Sequence, residues 1–391
     1  MFRLRFYSIL ILVVFAYQSH AQSATGVIKG KVTDAVTNEA LPFAVIFVQG
    51  TSLGGTTDLE GNFVINNVPG GTYNVQASLT GYKKLVKYEI MVNSVRPSEV
   101  NFALESDSKT ADTVVIRANP FIKTAESPVS VRTIGVAEIE RNPGGNRDIS
   151  KAIQSLPGVA SSVSFRNDII IRGGAPNENR FFLDGVEVPN INHFATQGSS
   201  GGPVGMINVN FIREVDFYSG AFPATRGNSL SSVFEIKMKE GNPDRLVTSF
   251  TVGASDFGLT FDGPLGKNTS FIFSARRSYL QFLFQALQLP FLPIYNDFQF
   301  KTKTKIGDKG ELTFIGLGAI DQIELNKEAN ETEEQQYLLN VLPVNQQWNY
   351  TIGSTYRHFT NNGSLLFVLS SNMHNNTTVK YFQNDETSPN N

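Results

Sequence analysis

The pattern of apolar and polar positions divides the chain into three textures. From Gly26 to about Leu104, short β-branched and aromatic runs alternate with turn residues. The spacing predicts strands over 27–32, 44–48, 62–65, 73–78, 84–90 and 98–104. Turns are expected at Asp34, Gly54-Gly55, Glu60-Gly61-Asn62, Pro69-Gly70-Gly71 and Thr80-Gly81. Short strands at regular spacing argue for a small β-sandwich over 26–104. A polar connector follows over 105–125, rich in Ser, Asp, Lys, Thr and Pro. Mixed strand and helix patterns over 126–241 then point to a compact α+β unit.

From Leu246 onward the period is two. Ile294, Phe298, Phe300, Thr302, Thr304 and Ile306 share one face, broken only by Asn296, and alternate with Tyr295, Asp297, Gln299, Lys301, Lys303 and Lys305. Such alternation turns one face to apolar surroundings and the other to water. One segment of this kind is an ordinary half-buried strand. Several in succession, over 271–279, 312–320, 348–359 and 365–373, are each close to the roughly 9 to 11 residues of a tilted transmembrane strand. Tight turns at Gly263-Pro264, Gly307-Asp308 and Asn361-Asn362-Gly363 alternate with longer stretches over 281–293 and 321–346, the habit of outer-membrane barrels. The stretch 246–262 fits less well, because its alternation slips phase near Ser255-Asp256. A bulge or a misplaced boundary is expected there.

Composition narrows the chemistry. The 391 residues carry a formal net charge of -2 and are 41% hydrophobic, enough for two or three domains and no electrostatic case for nucleic acid. With no cysteine there is no disulfide, thiolate nucleophile or sulfur metal site. No metal, cofactor or catalytic residue is expected. Arg3 and Arg5, the apolar run 6–16 and Ser19-His20-Ala21 read as a secretory signal peptide over 1–21. That run is shorter than the roughly 20 residues a spanning helix needs.

The most informative segment is 153–190, IQSLPGVASSVSFRNDIIIRGGAPNENRFFLDGVEVPN. It predicts a short helix stopped by Pro157 and Gly158, an apolar strand over 169–171 running into Arg172-Gly173-Gly174, and a second strand over 180–183 turned by Asp184-Gly185. The order and spacing of these pieces resemble the plug domain of TonB-dependent outer-membrane receptors. The resemblance continues through Ile212-Arg213-Glu214-Val215, Tyr218-Ser219-Gly220, Arg226-Gly227 and Ser231-Ser232-Val233. Residues 30–82 resemble the carboxypeptidase-regulatory-like domain found at the front of many receptors from Bacteroidetes, a name that implies no peptidase activity. Residues 263–280 resemble the first hairpin of the receptor barrel. The expected fold is therefore mainly β: a sandwich of transthyretin or immunoglobulin type, an α+β plug, and over 246–391 the first strands of an antiparallel transmembrane barrel.

The resemblance implies partners and site residues. Asp112, Thr113, Val114, Val115, Ile116 and Arg117 form a β-prone hexamer that is either one more sandwich strand or a TonB box, a segment that adds itself to a sheet edge of the energy transducer. Arg172, Gly173, Gly174, Asp184, Gly185, Arg226 and Gly227 are candidates for locking plug to barrel. The two arginines are suited to charge-assisted bonds with barrel carboxylates. Asn190, Asn192, His193 and Phe194 are candidates for an outward substrate loop. A lone His in such a Gly/Ser-rich loop is, on local grounds, expected to be solvated. Outer-membrane lipid, a small substrate of unknown kind and a surface lipoprotein complete the expected partners.

Two enzyme-like motifs do not carry chemistry. Gly50-Thr51-Ser52-Leu53-Gly54 matches GxSxG, but a nucleophile elbow needs a helix next and a strand is predicted. Asp58-Leu59-Glu60-Gly61-Asn62 lacks the remaining ligands of a calcium loop and reads as a turn. About six barrel strands are predicted, too few to close a wall in lipid, where each unpaired backbone group costs several kcal/mol. The chain is expected to be the N-terminal portion of a receptor for a scarce nutrient, with the polar stretch 385–391 an unfinished loop. The rival expectation is a soluble periplasmic module of sandwich plus plug that binds the transducer without transporting.

Overall fold

The computed structural model describes residues 25–106 and 131–384, apart from 95, 146, 162–165, 197–198, 200–201, 254, 308 and 361–362. The expected signal peptide and the hexamer Asp112 to Arg117 lie outside the described residues. The chain folds as two units, each with its own core.

The first unit holds β1 (Thr25–Asp34), β2 (Val45–Val48), β3 (Gly54–Thr56), β4 (Asn62–Pro69), β5 (Gly71–Ser78), β6 (Leu85–Val92), β7 (Ser98–Glu99) and β8 (Phe102–Leu104). One sheet runs β4-β1-β7 with β8 also on β1, and the other runs β3-β2-β5-β6. Alternate residues Ile28 and Val32, Ile46 and Val48, Phe63 and Ile65, Val75 and Ala77 are buried between them, as period two requires. The expected turn at Gly54-Gly55 is instead the edge strand β3. A side chain on Gly54 would put its Cβ 2.7 Å from the Ile46 carbonyl, so the missing Cβ is what lets the strand close. Ser52 lies in the β2–β3 turn and a strand follows it, so the elbow geometry is absent. Asn62 N donates to Asp58 Oδ1 at 2.7 Å, closing the Asp58 to Asn62 run as a turn.

The second unit begins with β9 (Val131–Gly135), α1 (Val136–Arg141), α2 (Ile149–Gln154), β10 (Val159–Ser161), β11 (Ile169–Ile171), β12 (Asn179–Leu183), β13 (Val186–Val188), β14 (Asn192–His193), β15 (Val204–Gly205), β16 (Ile212–Tyr218) and β17 (Ser232–Met238). Five of them form a sheet ordered β13-β12-β17-β16-β9, in which β12 and β17 run parallel. Phe234 stacks between Phe181 and Phe217 with centroids 5.2 and 4.8 Å away. The Asp148 carboxylate caps α2 by accepting from Ser150 N at 2.8 Å. Beyond the helix, Gly158 takes φ +82, which a residue with a Cβ adopts at a cost.

The same unit continues into a seven-stranded antiparallel sheet in chain order. Its strands are β18 (Val247–Val252), β19 (Asp256–Pro264), β20 (Thr269–Ser278), β21 (Phe291–Ile306), β22 (Gly310–Leu325), β23 (Val344–Thr360) and β24 (Gly363–Val379). Of the two expectations for the phase slip near Ser255-Asp256, the structure shows a boundary and no bulge, with β18 ending at Val252 and β19 beginning at Asp256. The chain reverses there, with Val252 opposite Phe257, which raises the count from about six to seven. The long connections contain α3 (Leu280–Ala286) and α4 (Glu333–Val341). One face of the sheet exposes Phe298, Phe300, Phe314, Ile320, Trp348, Ile352, Phe367 and Leu369. On that face Phe300 covers Gly316, where a Cβ would lie 2.1 Å from the ring. The other face carries Ile272, Ile315, Leu317 and Ala319 into the core of the α+β part. Among the described residues β18 and β24 each pair on one side only.

Candidate functional site

The inner face of the sheet grips the α+β part through buried charge. Asp297 on β21 and Asp321 on β22 point inward because they share the parity of Gln299 and Ala319. Between them sits His193, fully buried, with Nδ1 2.7 Å from Asp321 Oδ1 and Nε2 3.1 Å from Asp297 Oδ2. Phe194, held at φ +54, donates its N–H to the second oxygen of Asp321 at 2.8 Å. Arg276 of β20 donates from Nε to both Asp297 oxygens at 2.9 and 3.0 Å. Its Nη2 reaches the carbonyls of Gly205 and Met206 at 2.9 and 2.7 Å. The Tyr295 ring lies 4.3 Å from the imidazole and its hydroxyl donates to Asp256 at 2.8 Å.

Burial pulls the His193 pKa down, but the carboxylates of Asp321 and Asp297 outweigh it and raise it to about 9. The imidazole is therefore a cation at neutral pH. The expectation of a solvated His193 is corrected: its partners lie 104 and 128 residues away in sequence, and local composition carries no trace of them. Asn190 and Asn192 act on the backbone and the core. Asn190 Nδ2 donates to Asn192 O at 2.6 Å, and Asn192 Oδ1 accepts from Ser150 Oγ at 3.1 Å. Asn208 adds two bonds to the wall, from N to Gln299 Oε1 at 3.0 Å and from Nδ2 to Ser274 Oγ at 2.8 Å.

A second set of contacts fastens the β12–β13 turn and the end of β17. Asp184 and Gly185 take φ +47 and +89, the left-handed pair a tight Asp-Gly hairpin turn demands. This turn brings Asp184 Oδ2 within 2.8 Å of Lys301 Nζ, while its Oδ1 accepts from Met238 N at 3.0 Å. Lys301 also donates to Met238 O at 3.1 Å. Lys303 joins Glu240 at 2.5 Å and Glu311 at 3.1 Å. Burial would raise the Glu240 pKa, but the ammonium groups of Lys303 and Lys301 hold it far below the usual carboxylate range. Beside the turn, Val186 packs on Gly353, where a Cβ would lie 2.6 Å from the valine methyl.

Comparison with known proteins assigns both units. The CarboxypepD_reg-like domain family matches residues 28–116, and the TonB-dependent receptor plug domain family matches residues 123–232. The chain belongs to the TonB-dependent receptors. It is 22% identical over 310 residues to the TonB-dependent transporter Oar of Myxococcus xanthus, a match covering 69% of this chain and 28% of that protein. It is 25% identical over 169 residues to the TonB-dependent receptor P3 of Formosa agariphila, covering 43% of this chain and 16% of that one. A crystal structure of a mutant ferric enterobactin receptor from Pseudomonas aeruginosa, bound to enterobactin, superposes with a TM-score of 0.46 at 16% identity. That alignment covers 64% of this chain and 42% of the other. The chain thus spans less than a third of the length of the curated receptors it matches.

Within the plug of this TonB-dependent receptor the described contacts of the two expected arginines are to other plug residues. Arg226 Nε pairs with Glu235 Oε1 of β17 at 2.7 Å and its guanidinium lies 4.3 Å over the Phe182 ring. Arg172, at φ +51, is exposed and lies against Gly220, where a Cβ would meet its Nη1 at 2.5 Å. Neither described contact is to a barrel carboxylate. Sheet neighbours within the plug supply closer partners. Gly173 takes φ +82, Gly174 packs on Ser231 and a Cβ on Gly227 would meet nothing within 4 Å. Among the described residues, only Asp184 of the expected locking residues bonds to a barrel strand through its side chain. The reading from sequence missed Arg276, Asp297, Asp321, Lys301, Lys303 and Glu240. For all but Glu240, which follows β17, the signal is the charge on the polar face of the alternating strands, a pattern that looks the same whether that face meets water or a plug.

Proposed function

We propose that the chain forms part of an outer-membrane receptor that takes up a scarce nutrient and is driven by an inner-membrane transducer. One observation carries this reading: a plug is fastened by buried charge to the inner face of a strand wall whose outer face is apolar. Such a wall suits lipid outside and a gated lumen within. Among the described residues no helix is long and apolar enough to cross a membrane, so crossing would fall to the strands. Residues 1–21 would direct export, leaving the sandwich in the periplasm. Asp112 to Arg117 would pair with a sheet edge of the transducer, where backbone bonds give grip and alternate side chains give selectivity. Substrate would meet the plug near 190–194, beside the His193 clamp.

The test is an in-frame deletion of 112–117 in the full-length receptor gene. Growth on a nutrient panel should fall to the level of the whole-gene deletion, while the protein remains in the outer-membrane fraction. Growth that stays at the wild-type level, on a nutrient for which the whole-gene deletion fails, refutes energy coupling through this segment.

A further inference from the structure

Residues paired directly across antiparallel strands share a face. Asp321 and Ala319 of β22 point inward, and Gln347 and Asn349 of β23 lie opposite them. Opposite these in turn are Asn376 and His374 of β24, with Asn372 two residues before His374 on the same face. Asn345 continues the row on β23 toward the long connection between β22 and β23. The inner face of this strand pair is thus a ladder of amides. Trp348, Tyr350 and Ile352 alternate with it on the outer face, so the polarity belongs to the inner side.

The ladder differs in chemistry from the strands beside it. On β20, β21 and β22 the inner face carries Arg276, Asp297, Lys301 and Asp321, which bond to the plug or to one another. Across the inner positions from 345 to 355 on β23 and from 368 to 378 on β24, His374 is the one ionisable side chain. Gln347 is only 6% exposed, yet its Oε1 has no hydrogen-bond partner, and the buried Nδ2 of Asn349 has none either. Unmet amide atoms weaken a fold, and leucine of similar size would serve packing better. Thr351 Oγ1 donates to Asn372 Oδ1 at 2.6 Å, and Thr378 Oγ1 donates to Asn345 Oδ1 at 2.8 Å. Each bond fixes an amide oxygen and so sets where the donors of that amide point. At the foot of the ladder, Phe194 is bonded through its N–H to Asp321, the residue opposite Gln347. Its φ of +54 is rare for a bulky side chain.

We propose that this ladder is a substrate-binding wall and that its substrate is a neutral polyhydroxylated molecule, an oligosaccharide. The proposal rests on the reading of the chain as part of a receptor. A hydroxyl both donates and accepts, and a carboxamide offers an acceptor oxygen and two donors. A row of amides therefore meets a row of hydroxyls without any charge. A ferric chelate or an acidic peptide would call for guanidinium or ammonium groups. The nearby cations Arg276 and Lys301 are already matched by Asp297 and Asp184.

The test is binding of the purified full-length receptor, in detergent, to an array of neutral, uronate-containing and sulfated oligosaccharides. Binding should favour the neutral members. Equal or stronger binding to the acidic members, or no binding at all, overturns the assignment. For a neutral oligosaccharide that binds, the double variant Gln347→Leu, Asn349→Leu should raise Kd by at least about tenfold. Its melting temperature should not fall, because the atoms removed have no partner to lose. An unchanged Kd overturns the assignment. Should this variant not fold, Asn376→Ala on β24 gives the same readout with the same two outcomes. A silent array combined with loss of growth on deleting 112–117 removes the ladder and leaves the receptor reading standing. Binding of a neutral oligosaccharide with unimpaired growth in that deletion does the reverse.

Discussion

At the scale of single residues, charge buried between plug and wall decides how firmly the plug is seated. His193 is held above its ordinary value of 6.5, at about 9. Because the folded pKa is the higher one, the stabilisation is fully present below about pH 6.5 and is lost as pH rises through about 9. A rise of this size corresponds to about 3 kcal/mol. Thermal melts of the receptor should therefore fall between pH 7 and pH 10 by more than those of His193→Asn, and parallel curves would contradict the assignment. Lys301 offers a test without titration. Lys301→Met strips Asp184 of its cation and should destabilise by about 3 kcal/mol in urea unfolding, since removing one partner of a buried pair leaves an uncompensated charge. Adding Asp184→Asn to it should recover a large part of the loss. A double variant no better than the single one would mean that the pair is not coupled.

At the scale of elements, close approach and capping fix where the plug meets the wall. Gly353 receives Val186 so tightly that a Cβ would lie 2.6 Å from the methyl. Gly353→Leu should push β13 off β23 at a cost of about 1–3 kcal/mol, the usual range for overpacking. Protease sensitivity at the β12–β13 turn, with the barrel strands still protected, is the expected readout. The strands themselves were legible in the sequence because period two survives whatever the partner is, as in Phe298, Phe300 and Thr302 against Asp297, Gln299 and Lys301. The reversal at Ser255-Asp256 was not. No proline and only Gly253 marks it, so a turn looked like a phase error. Helices α3 and α4 were also missed, because short helices in long connections are decided by neighbours such as Phe291, against which Phe284 packs at 5.3 Å. The His193 contacts were the least legible part. Nothing near His193 in sequence reports on Asp297 or Asp321, and inward-facing charge on a strand looks the same whether it meets water or a plug.

At the scale of the whole second unit, plug and wall share one core. Phe211, Ile212 and Met238 of the plug belong to the same buried cluster as Ile272, Ile315, Leu317 and Ala319 of the strands. Arg276, Lys301 and Lys303 add polar bonds that the plug cannot make alone. A chain limited to 131–241 would therefore expose apolar surface at the seat. It would leave His193 and Glu240 without their countercharges and the carbonyls of Gly205, Met206 and Met238 without these donors. Exposed charges are readily solvated, so the apolar loss dominates, at roughly 25 cal/mol per Å² uncovered. Such a chain should keep its five-stranded sheet, because the stack of Phe181, Phe234 and Phe217 lies wholly within it. Its seat-facing segment 190–208 should lose order. Amide hydrogen exchange is expected to show protection across β12, β16 and β17 with rapid exchange at His193, Phe194 and Asn208. Slow exchange at those three amides in the isolated plug would mean that the segment is shaped by the plug itself, and that the wall only receives it.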